Sequence, residues 1–74
     1  MRIRELREAA GLTQSALALR VGVSRQAVNQ WESGINWPSA QLLPRLAFAL
    51  GVQVSDLFEP AELAEVSEAD TRQD

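Results

Sequence analysis

The chain has 74 residues, of which 46% are hydrophobic and 23% charged, and it contains neither cysteine nor histidine. This length accommodates one domain. The lack of thiol and imidazole groups excludes disulfides, cysteine nucleophiles and the common zinc sites, so we expect a non-enzymatic protein without a metal or other cofactor. No apolar stretch approaches the roughly 20 residues of a membrane-spanning helix, and no signal peptide is recognisable. We therefore expect a cytoplasmic protein that does not enter a membrane.

The charged residues are distributed unevenly along the chain. Residues 1–58 contain six arginines and four acidic residues, a net charge of +2, whereas residues 59–74 contain six acidic residues and one arginine, a net charge of −5. The overall charge of −3 therefore comes from the C-terminal segment. We interpret residues 1–58 as a folded domain and residues 59–74 as an acidic, flexible tail, in which repulsion between carboxylates would fray any helix.

Three short helices, each followed by a glycine, are predicted in the first half of the chain. The spacing of apolar residues favours a helix over residues 2–10, which Gly11 ends. Thr13 and Ser24 are good N-terminal capping residues because their hydroxyl oxygens can accept hydrogen bonds from free backbone N–H groups. They predict a second helix over Gln14–Val21 and a third over Arg25–Ser33.

The start of a fourth helix, which ends at Leu50, is ambiguous in the sequence. Pro44 lacks an amide donor and clashes with the preceding helical turn, but proline is tolerated at the first position of a helix. We favour a turn over residues 40–43 and a regular helix from about Pro44. A kinked helix from Ala40 is the alternative. Residues 54–58 are expected to add a last helical turn.

The segment from Gln14 to Ser33 predicts two helices that cross steeply, because the turn at residues 21–24 is too short for antiparallel packing. Ala18 is small where the two helices would approach each other. Gly22 accommodates the positive φ that such a turn requires. The side chains that would hold these helices together are apolar, namely Leu17, Val21, Val23, Val28 and Trp31.

These features resemble those of Cro/C1-type (Xre) helix-turn-helix DNA-binding proteins, which include small phage repressors and restriction–modification controller proteins. The resemblance covers residues 2–58. It includes Leu-Arg-Glu-Ala-Ala-Gly-Leu-Thr-Gln before the two helices, Trp-Glu-Ser-Gly after them, and the later pairs Leu46-Ala47 and Leu57-Phe58. It implies an all-α, compact five-helix domain that binds double-stranded DNA in the major groove. The implied function is a homodimeric transcriptional repressor that reads an inverted repeat.

The resemblance also makes the third helix the recognition helix. Arg25, Gln26 and Gln30 are then the expected base readers, with Asn29 on the same outward face but nearer the backbone. Arginine pairs well with guanine, and glutamine or asparagine pairs well with adenine. Contacts with the DNA backbone are expected from residues at helix ends and in the following loop, namely Thr13, Gln14, Ser24, Ser33 and Asn36.

Two structural roles follow from the same resemblance. A salt bridge between Arg7 and Glu32 would fix the first helix against the recognition helix. Dimerisation would use Phe48, Leu57 and Phe58. Trp37 follows the recognition helix where related proteins often carry cations, and it would either cover the core or face a partner.

The alternative function is an antitoxin-like interaction module, in which the acidic tail binds a basic partner protein. Deletion of residues 59–74 discriminates between the two functions. It should leave DNA binding intact or improved, but it should abolish binding to any partner that the tail recognises.

Overall fold

Helices form all of the regular structure in residues 1–62, the part of the chain that the computed structural model describes. Four α-helices, α1 (Ile3–Ala9), α2 (Gln14–Val21), α3 (Arg25–Ser33) and α4 (Leu43–Leu50), precede a 3-10 helix at Val54–Leu57. The predicted all-α, five-helix fold is therefore confirmed. No helix in the described part is long and apolar enough to cross a membrane. Most of the predicted acidic tail lies beyond residue 62, outside the described residues.

The α2–α3 unit is defined by two hydroxyl caps and one glycine. The Thr13 Oγ1 accepts a hydrogen bond from the backbone N–H of Ala16 at 3.0 Å, and the Ser24 Oγ accepts one from Ala27 at 3.1 Å. Gly22 ends α2 with a φ of 86°, a backbone conformation that is unfavourable for residues with a Cβ atom. The bounds predicted for both helices are therefore confirmed.

The core lies where α2, α3, α4 and the 3-10 helix meet, with the start of α1 packed against it. Each helix contributes apolar side chains on one face, and the small side chain of Ala18 is buried between its larger neighbours. The predicted burial of Trp31 is confirmed. The buried hydrophobic residues of this core are Ile3, Leu17, Ala18, Val21, Val28, Trp31, Leu46, Ala47, Leu50 and Leu57.

The start of α4 follows the turn that we favoured. The backbone N–H of Leu42 donates to the Ser39 carbonyl at 2.9 Å, which makes a turn, and the regular helix begins at Leu43. Pro44 lies in the first helical turn, where backbone N–H groups have no partner within the helix, so its missing N–H removes no hydrogen bond. The alternative of a kinked helix from Ala40 is wrong, because residues 40–42 form a turn and the helix begins only at Leu43.

Candidate nucleic-acid interface

The outward face of α3 is polar and its inward face is buried. Val28 and Trp31 anchor the helix in the core. Arg25, Gln26 and Asn29 are exposed, and Gln30 is partly exposed on the same outward side. Because one face is held in the core, the helix presents the other face as a fixed surface. That surface contains the guanidinium and amide groups that distinguish base edges in DNA.

The N-terminal ends of α2 and α3 carry the predicted backbone-contact residues Thr13, Gln14 and Ser24. The hydroxyl oxygens of Thr13 and Ser24 already accept hydrogen bonds as helix caps, although each hydroxyl group keeps a proton to donate. Gln14 also braces α3, a role that the family resemblance implies. Its Nε2 donates to the Glu32 Oε1 at 3.1 Å, which links the start of α2 to the end of α3.

The predicted backbone-contact residues at the end of α3 also form hydrogen bonds within the protein. The Ser33 Oγ donates its proton to the Asn29 carbonyl at 2.8 Å. The Asn36 Nδ2 donates to the Gln30 Oε1 at 2.8 Å. The sequence predicts a phosphate contact for Asn36, and the structure in addition joins its side chain to that of Gln30, an expected base reader.

Glu32 is the centre of an ion-pair cluster that holds α1, α2 and α3 together. The Arg7 Nε lies 2.7 Å from the Glu32 Oε2, and the Arg7 Nη2 donates to the Glu32 Oε1 at 3.2 Å. Arg4 adds a longer contact with Glu32 at 3.3 Å. The contribution of Arg4 was missed, although its position one helical turn before Arg7 was visible in the sequence.

The Glu32 side chain has no exposed surface, so its charge depends on these partners. Burial alone would raise the pKa of Glu32 because it removes water from the carboxylate. Hydrogen bonds from Arg7, Gln14 and Arg4 outweigh burial and hold that pKa below its ordinary value. The carboxylate is therefore ionised at neutral pH.

The arginines of the described residues divide into two groups. Arg2, Arg4 and Arg7 form ion pairs with Glu5 or Glu32. Arg20, Arg25 and Arg45 have no ion-pair partner among residues 1–62. Arg25, at the first position of α3, is thus an exposed cation without an ion-pair partner in the described residues.

The three residues expected to mediate dimerisation have different environments. Phe48 is 89% exposed and lines an open groove between α2 and α4, together with Leu19, which is 84% exposed. Phe58 is half-buried, and its ring centroid lies 6.0 Å from that of Trp37. Leu57 is fully buried in the core, so its inclusion among interface residues needs correction. The 3-10 helix that carries it packs against α4, and the Leu57 side chain has no surface to offer a partner.

Comparison with known proteins identifies the group to which this arrangement belongs. The sequence model of one family, described as Helix-turn-helix, matches residues 3–57. The chain belongs to the Cro/C1-type helix-turn-helix family. Its α2 and α3 are the two helices of the motif.

Its relatives in this helix-turn-helix family are named as transcriptional regulators. An uncharacterized HTH-type transcriptional regulator of Methanothermobacter thermautotrophicus is 49% identical over 57 residues, which are 76% of this chain and 83% of the relative. An uncharacterized HTH-type transcriptional regulator of Archaeoglobus fulgidus is 40% identical over 57 residues, 77% of this chain and 81% of that protein.

A longer relative is the HTH-type transcriptional activator BcrR of Enterococcus faecalis, which is 32% identical over 71 residues. The match covers 96% of this chain but only 35% of BcrR. The chain likewise spans about half of a regulator of Mycobacterium tuberculosis that it resembles. The part that these proteins share is the helix-turn-helix domain, so the comparisons support a DNA-binding regulator.

Proposed function

We propose that this protein is a sequence-specific transcriptional repressor that binds an inverted repeat in duplex DNA as a homodimer. The observation that carries the proposal is the polar outward face of α3, a helix anchored in the core by Val28 and Trp31. The polar residues of that face are Arg25, Gln26, Asn29 and Gln30. A recognition helix places such side chains against base edges in the major groove. Repression requires only occupancy of a promoter, which the DNA-binding unit supplies by itself.

Contacts with the DNA backbone would set the orientation of α3 in the groove. The free N–H groups at the start of α2, next to Thr13 and Gln14, suit a phosphate, as does the hydroxyl proton of Ser24. At the other end of α3, Asn36 keeps a second N–H for a phosphate, whereas Ser33 would first have to release the Asn29 carbonyl. Few cations take part, so each protomer alone would bind weakly.

A homodimer would overcome that weakness. Two recognition helices about 34 Å apart contact successive major grooves on one side of the duplex. Phe48 is almost fully exposed, which is unfavourable for an aromatic ring in water, and we infer that a second copy covers it. Phe58, half-buried against Trp37, would extend the contact.

The proposal is tested by selecting bound sequences from a random pool of duplex DNA. The wild-type protein should enrich an inverted repeat, and the double variant Arg25→Ala/Gln26→Ala should lose that enrichment while its unfolding curve stays unchanged. Arg2→Ala is the matched control, because Arg2 lies outside α3 and outside the groove lined by Phe48, and its ion pair with Glu5 is exposed. Absence of any enriched sequence with folded wild-type protein would refute sequence-specific binding.

The sign of regulation needs a separate assay. The selected sequence is placed across the start of a reporter promoter and, in a second reporter, upstream of it. Repression predicts that expression of the protein lowers output from the first reporter, and that the Arg25→Ala/Gln26→Ala variant does not. Increased output from the upstream reporter alone would instead identify an activator, as BcrR is named.

A further inference from the structure

The loop that follows α3 folds back on Gln30 and holds both its backbone and its side chain. The backbone N–H groups of Ile35 and Asn36 donate to the Gln30 carbonyl at 3.0 and 3.4 Å. The Asn36 Nδ2 donates to the side-chain oxygen of Gln30, Oε1, at 2.8 Å. The Gln30 side chain is therefore partly ordered before any ligand arrives.

This contact determines which end of the Gln30 amide remains free. A glutamine amide has an oxygen that accepts hydrogen bonds and a nitrogen that donates two. Because Asn36 is the donor, the Gln30 oxygen is turned toward Asn36, and the Gln30 Nε2 donates to no residue in the described part of the chain. Gln30 thus presents N–H donors, and its oxygen keeps one lone pair for a further donor.

We propose that Asn36 is a positioning residue that sets the base preference of Gln30 by fixing the orientation of the Gln30 amide. The proposal rests on the function proposed above. A fixed amide with a free nitrogen suits acceptors such as the N7 of adenine, with the amide oxygen accepting from the adenine N6. Without Asn36, rotation of the amide by half a turn would exchange donor for acceptor, and Gln30 would tolerate more bases.

The role of Asn36 as a phosphate contact alone makes a different prediction. Phosphate contacts carry no sequence information directly, so their loss weakens binding to all sequences by a similar factor. Loss of an orienting contact instead lowers the preference at one base pair in each half-site. The two roles are therefore distinguished by the pattern of binding across sequences and not by its overall strength.

The experiment measures dissociation constants for the selected sequence and for its single-base variants. Gln30→Ala first identifies the base pair that Gln30 reads. Asn36→Ala should then lower the preference at that base pair by roughly tenfold and leave the preferences at other positions unchanged. In the Gln30→Ala background, Asn36→Ala should have no further effect on base preference, because its partner is absent.

Two further variants control for charge and for loss of a polar group at the end of α3. Ser33→Ala removes an exposed side chain that bonds only to its own helix, and should leave the preference of Gln30 intact. Asn36→Asp replaces the donor with an acceptor and should turn the Gln30 amide so that its oxygen faces the base. Preference should then shift from adenine toward cytosine, whose major-groove edge offers only a donor. Ser33→Asp adds the same charge and should weaken binding to all DNA sequences by a similar factor.

Each outcome has a definite meaning. If Asn36→Ala weakens all sequences by one factor, or changes nothing, the positioning role is refuted while the proposed function stands. If the wild-type protein prefers no sequence, the proposed function fails and the positioning role fails with it. A change of preference that persists in the Gln30→Ala background would show that Asn36 acts through some other contact.

Discussion

Glu32 accepts more side-chain hydrogen bonds than any other carboxylate in residues 1–62. It accepts four hydrogen bonds from Arg4, Arg7 and Gln14, which belong to two other helices. The carboxylate is buried, so removal of its charge would leave Arg7 without its principal partner. Breaking one member of such a pair costs more than the intact pair contributes.

The first prediction concerns the dependence of stability on pH. The pKa of Glu32 is lowered in the folded protein, so its contribution is complete above the ordinary glutamate pKa and is lost as the pH falls toward the lower, folded value. Glu32→Gln should reduce the free energy of unfolding by about 3 kcal/mol at pH 7. It should also flatten the decline in stability below about pH 4. Urea denaturation of both proteins at several pH values measures these effects.

Glu5→Gln is the matched control for that experiment. Glu5 is exposed and pairs with Arg2, whose hydrogen bond lowers the pKa of Glu5 in the same direction. Solvent screens this exposed pair, so its removal should change stability little at neutral pH. Equal effects of the two substitutions would mean that the cluster around Glu32 does not hold the helices together.

At the scale of the elements, helix boundaries follow from local chemistry. Thr13 and Ser24 accept hydrogen bonds from backbone N–H groups three residues later, which is why α2 and α3 start where the sequence predicted. Gly22 and Gly34 end these helices in the left-handed conformation. Such signals act over a few residues, and they are therefore readable without knowledge of the rest of the fold.

The second prediction concerns the turn between α2 and α3. Gly22 has a φ of 86°, and no atom lies within 4 Å of the position where a Cβ would stand. Substitution therefore strains the backbone without a steric clash. Gly22→Ala should reduce the free energy of unfolding by about 1–2 kcal/mol, measured by urea denaturation. Gly22→Asn should cost less, because asparagine tolerates this conformation better than alanine.

Ser15→Ala provides the control for the turn variants, since Ser15 is exposed in α2 and makes no capping hydrogen bond. The free energy of unfolding of the Ser15→Ala variant should stay close to that of the wild type. An unchanged unfolding midpoint for Gly22→Ala would contradict the requirement for a left-handed residue at this turn.

At the scale of the whole molecule, the third prediction concerns the exposed apolar groove. Phe48→Ser should leave the monomer folded, because the ring contributes little to the core, but should shift a dimer toward monomer. Analytical ultracentrifugation measures the shift. Affinity for a complete inverted repeat should fall more than affinity for a half-site, since only the former uses two protomers.

Two variants make the dimer test specific. Leu19→Ser should act in the same direction as Phe48→Ser, because both side chains line the groove between α2 and α4. Ile35→Ser removes an exposed apolar side chain of the loop after α3 and should leave the oligomeric state unchanged. A dimer that persists in both groove variants would place the interface elsewhere.

The fourth prediction concerns the acidic segment. Residues 63–74 contain four acidic residues and one arginine, so their deletion removes a net charge of −3. Less repulsion from phosphates should leave DNA affinity unchanged or increased, with the larger effect at low salt. Filter-binding assays at two salt concentrations measure the DNA affinity of both proteins. Reduced DNA affinity would contradict this prediction, whereas loss of a bound protein partner on deletion would favour the antitoxin-like alternative.

The order of helices, their caps and the inward residues of α2 and α3 were readable from sequence, because apolar spacing and capping depend on near neighbours. The sequence did not reveal three other features. These are the burial of Leu57, the hydrogen bonds of Arg4 and Gln14 to Glu32, and the hydrogen bond from Asn36 to Gln30. Each of these depends on where packing brings side chains from separate elements, or on the path of a loop. Contacts of that kind are set by the three-dimensional arrangement of the core, since no local pattern specifies which polar groups will meet.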